Sequence, residues 1–384
     1  MVGTCGLVGI VDTCRDYTAS KAAENRSGQQ THSAPTRSSF LLSMKMICLE
    51  EPGRLTPLSA EDPLPASIQP WEALVRVRRI GVCGTDIHAF NGRQPFFSFP
   101  RILGHELGVE VVAVGSSTKN VKPGDRCSVE PYFNCGSCIA CRRCKPNCCA
   151  NLQVLGVHID GGMREMFVVP SRKLHPSESL TLDQLALIET LGIGCHAVER
   201  ARVEAREFAL VIGAGPIGLA VVQFAIEAGT QVIVLDINPK RLEFSRERLG
   251  ASHLINAARE DPLEALRRIT SGDLPTAVFD ATGNPRSMMG AFEYPAHRGQ
   301  LIFVGLFPGD ITFNDPNFHR RELTVLASRN ARPENFTHII DLVEIGRIDI
   351  EPWITHRAPF VDVVEEFPRW TKPETDVIKA MIEV

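Results

Sequence analysis

Six cysteines crowd into the stretch CGSCIACRRCKPNCC, residues 135–149. Four of them have the spacing C-x2-C-x2-C-x7-C, namely Cys135, Cys138, Cys141 and Cys149. Cys144 and Cys148 are additional to this set. Four thiolates on one loop can close tetrahedrally around a structural zinc ion. A ferredoxin-type cluster uses C-x2-C-x2-C-x3-C-P, and here the fourth cysteine comes one residue early. The spacing favours zinc, and it leaves an iron–sulfur cluster and free thiols as alternatives.

A second set of residues could hold a catalytic metal. The stretches GVCGTDIH, LGHELG and LIETLG contain Cys83, His105, Glu106 and Glu189. Cysteine sulfur and histidine nitrogen are good zinc ligands, and a carboxylate can complete a site that keeps one position open for substrate. Taken singly, each residue could instead have a purely structural role, as a buried small thiol, a core histidine or a solvated charge.

A nucleotide site is indicated by the stretch VIGAGPIG, which has the spacing G-x-G-x-x-G and covers Gly213, Gly215, Pro216, Ile217 and Gly218. It follows an apolar strand-like run, opens a helix-like run, and precedes a second strand that ends in Asp236. In this context the loop and the helix N-terminus predict a dinucleotide pyrophosphate site. Asp236 would accept hydrogen bonds from the ribose hydroxyls and repel a 2′-phosphate, which favours NAD over NADP. Arg241 lies nearby and weakens that preference slightly.

The two sets of residues make chemical sense together. A zinc ion that polarises an alcohol oxygen eases the loss of hydride from the carbinol carbon, and a bound NAD accepts that hydride. The sequence therefore predicts an oxidoreductase that acts on a CH–OH group.

The surrounding elements predict where these residues lie. Between residues 71 and 129, short β-type runs broken by Gly and Pro indicate a small, irregular β-barrel unit. Further on, FALVIGAG, TQVIVLDI, TAVFDATG and GQLIFVGL contain short buried-type strands, and helical stretches separate several of them, which is typical of a parallel α/β sheet. We therefore expect a catalytic domain over 44–190, a Rossmann domain over 191–327, and a return to the catalytic domain over 328–384. Residues 1–43 are polar and lack periodicity, so we expect a disordered extension.

Composition limits the other classes of function. The net charge of −4 gives no electrostatic reason to expect nucleic acid as a partner. No apolar run reaches the ~18 residues of a membrane span, so no membrane partner is expected. The N-terminus has no basic residue ahead of its apolar patch, unlike a secretory signal. Reduced thiols and a cytoplasmic location are the expectation.

In this order, GVCGTDIH, GHE, the four-cysteine lobe and VIGAGPIG resemble the zinc-dependent medium-chain dehydrogenase/reductase (alcohol dehydrogenase) family, and most closely its polyol and sugar-acid branch. The resemblance runs from about residue 44 to residue 384. It implies an α/β enzyme with a Rossmann doubly wound sheet and a GroES-like irregular β-barrel catalytic domain. It also implies two zinc ions per chain, NAD, and a homodimer or homotetramer.

The resemblance also implies roles for single residues. Cys83 and His105 match ligands of the catalytic zinc, Glu106 matches a glutamate that can enter the ligand shell, and Glu189 matches a ligand position that is glutamate in sorbitol dehydrogenase. A carboxylate there makes a harder site and favours polyhydroxylated substrates. The four-cysteine set matches the structural zinc loop of the family, although Cys144 stands where the family usually has glycine.

Further positions match the proton path and the substrate pocket. Thr85 matches the hydroxyl that takes the substrate proton, and His88 matches a histidine that relays it. Asp86 matches an acid that orients a zinc ligand. Arg329 resembles an arginine that reaches the substrate, where it could bind a carboxylate, although a surface arginine is equally consistent.

The resulting hypothesis is NAD-linked oxidation of a secondary alcohol of a sorbitol- or galactonate-like substrate to the ketone. L-Threonine 3-dehydrogenase activity is an alternative, because that enzyme shares most of the motifs. A non-catalytic NAD-binding redox sensor that uses the crowded cysteines is an alternative of another class.

Overall fold

The computed structural model describes residues 43–61, 67–95 and 97–384. The strands of its first half are β1 (Ser43–Glu51), β2 (Arg54–Glu61), β3 (Glu72–Val82), β4 (Arg101–Ile102), β5 (Glu106–Val114), β6 (Arg126–Val129), β7 (Tyr132–Phe133), β8 (Gln153–Val154), β9 (Met166–Pro170) and β10 (Leu174–Pro176). Those of the second half are β11 (Phe208–Ile212), β12 (Gln231–Asp236), β13 (His253–Asn256), β14 (Ala277–Asp280), β15 (Gln300–Phe303), β16 (Thr324–Ala327), β17 (Ile354–Pro359) and β18 (Lys379–Glu383).

The helices connect and cover these strands. They are α1 (Gly84–Phe90), α2 (Ile139–Arg142), α3 (Leu182–Ala201), α4 (Pro216–Glu227), α5 (Pro239–Glu247), α6 (Pro262–Ile269), α7 (Pro285–Gly290), α8 (Asp315–Arg320), α9 (Pro333–Glu344) and α10 (Val363–Trp370). The predicted extension over 1–43 lies outside the described residues, apart from Ser43, which begins β1.

One sheet is parallel throughout, with strand order β13-β12-β11-β14-β15-β16. Its central strands are continuous apolar runs because helices cover the sheet and both faces of those strands are buried. The strand order reverses between β11 and β14, and in such sheets ligands bind at the carboxyl ends of the strands beside that reversal. Gly213 and Thr282 follow these two strands, so the fold puts the glycine-rich loop at the expected binding edge.

The other large sheet is mostly antiparallel, with strand order β10-β6-β5-β3-β18-β17 and with β9 also pairing with β3. Strand β18 comes from the end of the chain and pairs with β3 through Ile382 and Ile80, so the C-terminus completes this sheet. A smaller sheet, β2-β1-β4, lies beside it. The fold class is the predicted one, a doubly wound parallel sheet together with an irregular β-rich unit.

Helix α3 lies between the two large sheets. It begins at a capping box in which Thr181 Oγ1 accepts a hydrogen bond from the Gln184 amide at 3.2 Å. It packs against β5 on one side and α4 on the other, and a Cβ at Gly194 would overlap the Ala220 backbone. The helix crosses residue 190, where a domain boundary is predicted, and that boundary stays a prediction.

Candidate active site and metal centres

Two neighbouring strands bring the first candidate ligands together. Cys83 follows β3 and stands at the N-cap of α1, while His105 and Glu106 stand at the start of β5. Antiparallel pairing of Gly81 with Glu106 aligns these two ends. Ligand atoms of Cys83, His105 and Glu106 then lie within 4.8 Å of one another. A thiolate, an imidazole and a carboxylate converging in this way fit a zinc ion.

Asp86 supports two of these ligands. Its Oδ2 accepts a hydrogen bond from the Cys83 amide at 3.0 Å, and its Oδ1 lies 3.6 Å from His105 Nδ1. A carboxylate beside Nδ1 can keep the ring proton there and leave Nε2 to bind a metal. Burial lowers the pKa of His105, but the charges of Asp86 and Cys83 outweigh burial and raise it well above its ordinary value.

Lys379 is a site residue that the sequence did not reveal. It is 1% exposed, and its Nζ donates to both carboxylate oxygens of Glu106 at 2.6 and 2.8 Å. Burial raises the pKa of Glu106, and the charge of Lys379 more than offsets this and holds the pKa below its ordinary value. A Cβ at Gly81 would overlap Glu106 Oε2, so glycine at that position leaves room for the ion pair. One detectable signal was a lone lysine in the otherwise apolar run VIKAMI.

Among the described residues, the ligand atoms that converge are those of Cys83, His105 and Glu106, and Glu189 is not one of this group. It is buried on α3, and its Oε1 accepts a hydrogen bond from the hydroxyl of Tyr132, a second residue that sequence reasoning missed. Burial raises the pKa of Glu189, against the charge of His105, which lowers it. Its predicted role as a fourth metal ligand stays a prediction, because in this structure its carboxylate is bound to Tyr132.

The predicted proton path begins on α1. Thr85 is half-buried in the first turn of this helix, and His88 is exposed on it. His88 lines the cofactor cleft described below. Burial and the charge of Arg93 lower the pKa of His88, which favours the neutral ring that can accept a proton.

The cysteine lobe, residues 135–149, brings together the four thiols that the spacing predicted. Their sulfur atoms lie within 4.8 Å of one another, and none of the four is in a disulfide. The Sγ atom of Cys138 is 3.5 Å from that of Cys141 and 3.8 Å from that of Cys149. Zn–S bonds of ~2.3 Å in a tetrahedron put neighbouring sulfurs about 3.8 Å apart, so the group fits zinc. Cys144 and the exposed Cys148 lie outside this group.

Backbone amides prepare the lobe for anionic sulfur. The Cys138 amide donates to Cys135 Sγ at 3.4 Å, and the Ala150 amide donates to Cys138 Sγ at 3.5 Å. Hydrogen bonds from the amides of Ser137 and Cys138 lower the pKa of Cys135 to about 5. Burial raises the pKa of Cys149 to about 11, so the amides favour the thiolate, the form that binds metal, at Cys135 and not at every sulfur of the set.

Replacing Cys138 with serine should remove one zinc ion per chain and lower the unfolding temperature by roughly 5–10 °C, because metal binding contributes directly to folding. Zinc content and thermal unfolding measure the effect. The exposed Cys148→Ser variant is the control and should match wild type. Unchanged zinc content in Cys138→Ser would contradict the assignment.

A cleft of about 780 Å³ lies between the two large sheets. One wall belongs to the parallel sheet and its helices, and the other is formed by Val82 and by α1 residues that include His88. Of the predicted cofactor residues, this cleft is lined by Gly213, Gly215, Pro216, Asp236 and Arg241. The cleft therefore joins the glycine-rich loop to the strand end that precedes Cys83.

Two of the glycines have separate physical roles. Gly213 has φ +92°, a left-handed conformation that glycine adopts without strain. At Gly218 a Cβ would overlap the carbonyl oxygen of Gly213, so glycine is needed where α4 packs against the loop. Ile217 and Gly218 belong to the first turn of α4, behind the residues that line the cleft.

Asp236 and Arg241, the residues predicted to face the ribose, line the cleft beside this loop. The Oδ2 atom of Asp236 accepts from the Ala214 amide at 2.6 Å, and its Oδ1 accepts from the Asn238 amide at 2.8 Å. The atom nearest to a Cβ built at Gly215 would be Arg241 Nη1, at 3.8 Å. The loop is therefore open to a ligand at this position. This is the space that a pyrophosphate needs.

Arg329 lies elsewhere. It is exposed and lines a different cavity, on the side of the cysteine lobe, while the cleft lining does not include it. Burial lowers the pKa of His158, and the charge of Arg329 lowers it further. The structure does not bring Arg329 to the cofactor cleft, and its predicted contact with substrate stays a prediction.

Comparison with known proteins decides the family. Residues 69–179 match the alcohol dehydrogenase GroES-like domain, and residues 216–344 match the zinc-binding dehydrogenase domain. The chain is 40% identical over 340 residues to L-galactonate-5-dehydrogenase of Escherichia coli K12, covering 88% of this chain and 99% of the relative. It belongs to the zinc-binding alcohol dehydrogenase family.

Two similar solved structures hold nicotinamide cofactors. A structure described as short chain alcohol dehydrogenase (rspB) of E. coli CFT073, complexed with NADH, has a TM-score of 0.82 and 30% identity, covering 89% of this chain and 99% of that one. A zinc-binding dehydrogenase of Sinorhizobium meliloti 1021 bound to NADP has a TM-score of 0.82 and 27% identity, with coverage of 89% and 100%.

Family membership confirms the predicted oxidoreductase class. The match to a zinc-binding dehydrogenase domain and the nucleotides held by the two similar structures agree with the predicted zinc and nicotinamide cofactors. It favours this enzyme interpretation over the non-catalytic sensor. The number of zinc ions, the preference for NAD, the oligomeric state and the location in the cell stay predictions. None of the helices in 43–61, 67–95 and 97–384 combines the length and apolar character that a membrane span requires.

Proposed function

We propose that this family member is a zinc-dependent, NAD-linked dehydrogenase that oxidises a secondary hydroxyl of a polyol or sugar acid to the ketone. The observation that carries the proposal is the convergence of the half-buried Cys83 with the buried His105 and Glu106 beside the cofactor cleft. A similar relative named L-galactonate-5-dehydrogenase supports the substrate class.

The chain's own residues have distinct tasks in this proposal. Cys83 and His105 would hold the zinc ion, with Glu106 or Glu189 as the oxygen ligand. A zinc ion there supplies Lewis acidity, which lowers the pKa of the substrate hydroxyl. Asp86, whose Oδ1 is 3.6 Å from His105 Nδ1, would favour the ring proton on that nitrogen, and Lys379 donates to the Glu106 carboxylate.

Proton and hydride leave the substrate by different routes. Thr85 Oγ1 would accept the hydroxyl proton, and a ring nitrogen of His88 would pass a proton on to the solvent. A bound NAD would supply the hydride acceptor for the carbinol carbon, and the glycine-rich loop with Asp236 would hold it. His88 suits the release of the proton to the solvent because its side chain is exposed and its pKa is lowered.

The substrate class is tested by following NADH formation with L-galactonate and other aldonates, sorbitol and other polyols, L-threonine and ethanol. We expect turnover on an aldonate or a polyol, with the highest kcat/KM in that group. Turnover on L-threonine alone, or on simple alcohols alone, would overturn the substrate class. The Cys83→Ser variant is the blank for each substrate.

Cofactor preference is tested at Asp236. Replacing it with serine should raise kcat/KM for NADP relative to NAD by about a hundredfold, because a like-charge contact with the 2′-phosphate costs several kcal/mol. The ratio of kcat/KM for the two cofactors is the measurement. An unchanged ratio would remove Asp236 from the ribose site and would leave the metal site unaffected.

A further inference from the structure

The cavity that contains Arg329 is separate from the cofactor cleft. It has a volume of about 660 Å³ and lies between the cysteine lobe, the C-terminal half of α3 and the segment 327–332. We refer to it as the lobe cavity. It is lined by a single acidic residue, Glu199, and by the cations Arg143, Lys145, Arg200, Arg202, Arg329 and Arg332. This concentration of positive charge stands out in a chain whose net charge is −4.

The one acidic group of the wall is already neutralised. Arg332 Nη2 contacts Glu199 Oε2 at 2.7 Å, and the Asn335 amide donates to the same oxygen at 3.0 Å. Hydrogen bonding to His196 and to these two groups lowers the pKa of Glu199 to about 2, so it is ionised and paired. Glu199 therefore leaves the other cations of the lobe cavity without an acidic counterpart.

Four of the cationic side chains in the lobe cavity lack a hydrogen-bond or ion-pair partner among the described residues. Arg200 Nε donates to the Ala327 carbonyl at 2.6 Å and is held by the fold. By contrast, no side-chain hydrogen bond or ion pair within the described residues is made by Arg143, Lys145, Arg202 or Arg329. Like charges gathered without partners repel one another, and an anion between them relieves that repulsion.

The cavity also has a buried polar wall. Asn147 is 2% exposed and His196 is 8% exposed, and both line it. Asn147 Nδ2 donates to the Arg329 carbonyl at 2.9 Å and lies 3.1 Å from His196 Nε2. With Nε2 as the acceptor, the ring proton of His196 is on Nδ1, which lies 3.9 Å from Glu199 Oε2.

We propose that the lobe cavity binds a small polyanion, one whose phosphate or carboxylate groups are gripped by Arg143, Lys145, Arg202 and Arg329. Guanidinium groups match the geometry of both anions through paired N–H donors. The volume is that of a metabolite-sized pocket. The site is independent of the proposed alcohol substrate, and it joins the cysteine lobe to the segment that follows β16.

The test uses the full-length, zinc-loaded enzyme saturated with NAD, so that the cofactor cleft is filled. Fructose 1,6-bisphosphate is the phosphate probe, and benzene-1,3,5-tricarboxylate is the carboxylate probe. Isothermal titration should show one probe bound per chain, weakening as salt rises. The probe that binds more tightly identifies the anion class. Binding should also raise the unfolding temperature of the wild-type enzyme.

Three variants assign the binding to the lobe cavity. The double variant Arg143→Ala/Arg202→Ala should weaken binding by roughly tenfold or more, because each guanidinium contributes charge-assisted hydrogen bonds. Arg172→Ala removes an exposed arginine outside the lobe cavity and should leave the affinity within about twofold of wild type. Lys145→Ala replaces the double variant if that variant loses zinc or unfolds at a lower temperature.

Two results would overturn the proposal. One is the lack of saturable binding of either probe to the NAD-saturated enzyme. The other is equal weakening in Arg172→Ala and in the cavity variant, which would mean that net charge alone drives the binding. Both outcomes are independent of whether a polyol or sugar acid proves to be the substrate.

Discussion

Replacing Cys83 with serine is expected to lower kcat by about a thousandfold or more, since Lewis-acid stabilisation is worth several kcal/mol in the transition state. A serine hydroxyl is neutral and a weaker zinc ligand than a thiolate, while His105 and Glu106 remain in place. NAD affinity should stay within about twofold of wild type, because Val82 and Gly84 line the cleft and Cys83 does not. Steady-state turnover and NAD titration measure the two effects separately.

The matched control is Cys48→Ser, which introduces the same change at a buried thiol of β1 outside both metal groups. It should keep wild-type turnover per folded molecule. Full turnover in Cys83→Ser would rule out metal-dependent chemistry at this position, whereas lost NAD binding would point to a structural defect.

Replacing Lys379 with methionine is expected to reduce the free energy of unfolding by about 3–5 kcal/mol, which is typical when one partner of a buried ion pair is removed. Glu106 is fully buried, and the ammonium group of Lys379 contacts both of its oxygens. Methionine retains most of the volume, so the lost charge dominates the effect. Urea unfolding of the zinc-loaded enzyme measures it.

A second substitution separates charge from packing. In the double variant Glu106→Gln/Lys379→Met no unpaired charge is buried, and about half or more of the lost stability should return. Arg347→Met is the control, because its ion pair with Glu227 is on the surface and should be worth less than ~1 kcal/mol. A Lys379→Met variant as stable as wild type would show that the buried pair adds nothing to the fold.

Local patterns in the sequence predicted much of this fold. The glycine-rich loop is recognisable because strand, turn, helix and acidic strand end follow one another within residues 208–236. The four cysteines of the lobe are close in the chain, so their spacing alone constrains a shared metal. Both features depend on short loops whose geometry the chain fixes locally.

Contacts between distant segments were not predictable from the residues alone. Cys83 and His105 come together through the register of β3 and β5. Their residue types suggested a shared metal beforehand, but no local spacing in the chain places them side by side. The partner of Glu106 comes from β18, 273 residues further along the chain. The contact of Glu189 with Tyr132 likewise depends on how α3 packs against the sheet. No periodicity or spacing encodes such pairings.

Zinc stoichiometry tests the central claim most directly, through elemental analysis of the wild-type enzyme and of the Cys83→Ser and Cys138→Ser variants. The two ligand groups predict two zinc ions per wild-type chain and one in each variant. Of the two variants, Cys138→Ser should retain measurable turnover and Cys83→Ser should not. A wild-type chain with a single zinc ion, or a Cys83→Ser variant that keeps both, would contradict a catalytic metal held by Cys83, His105 and a carboxylate.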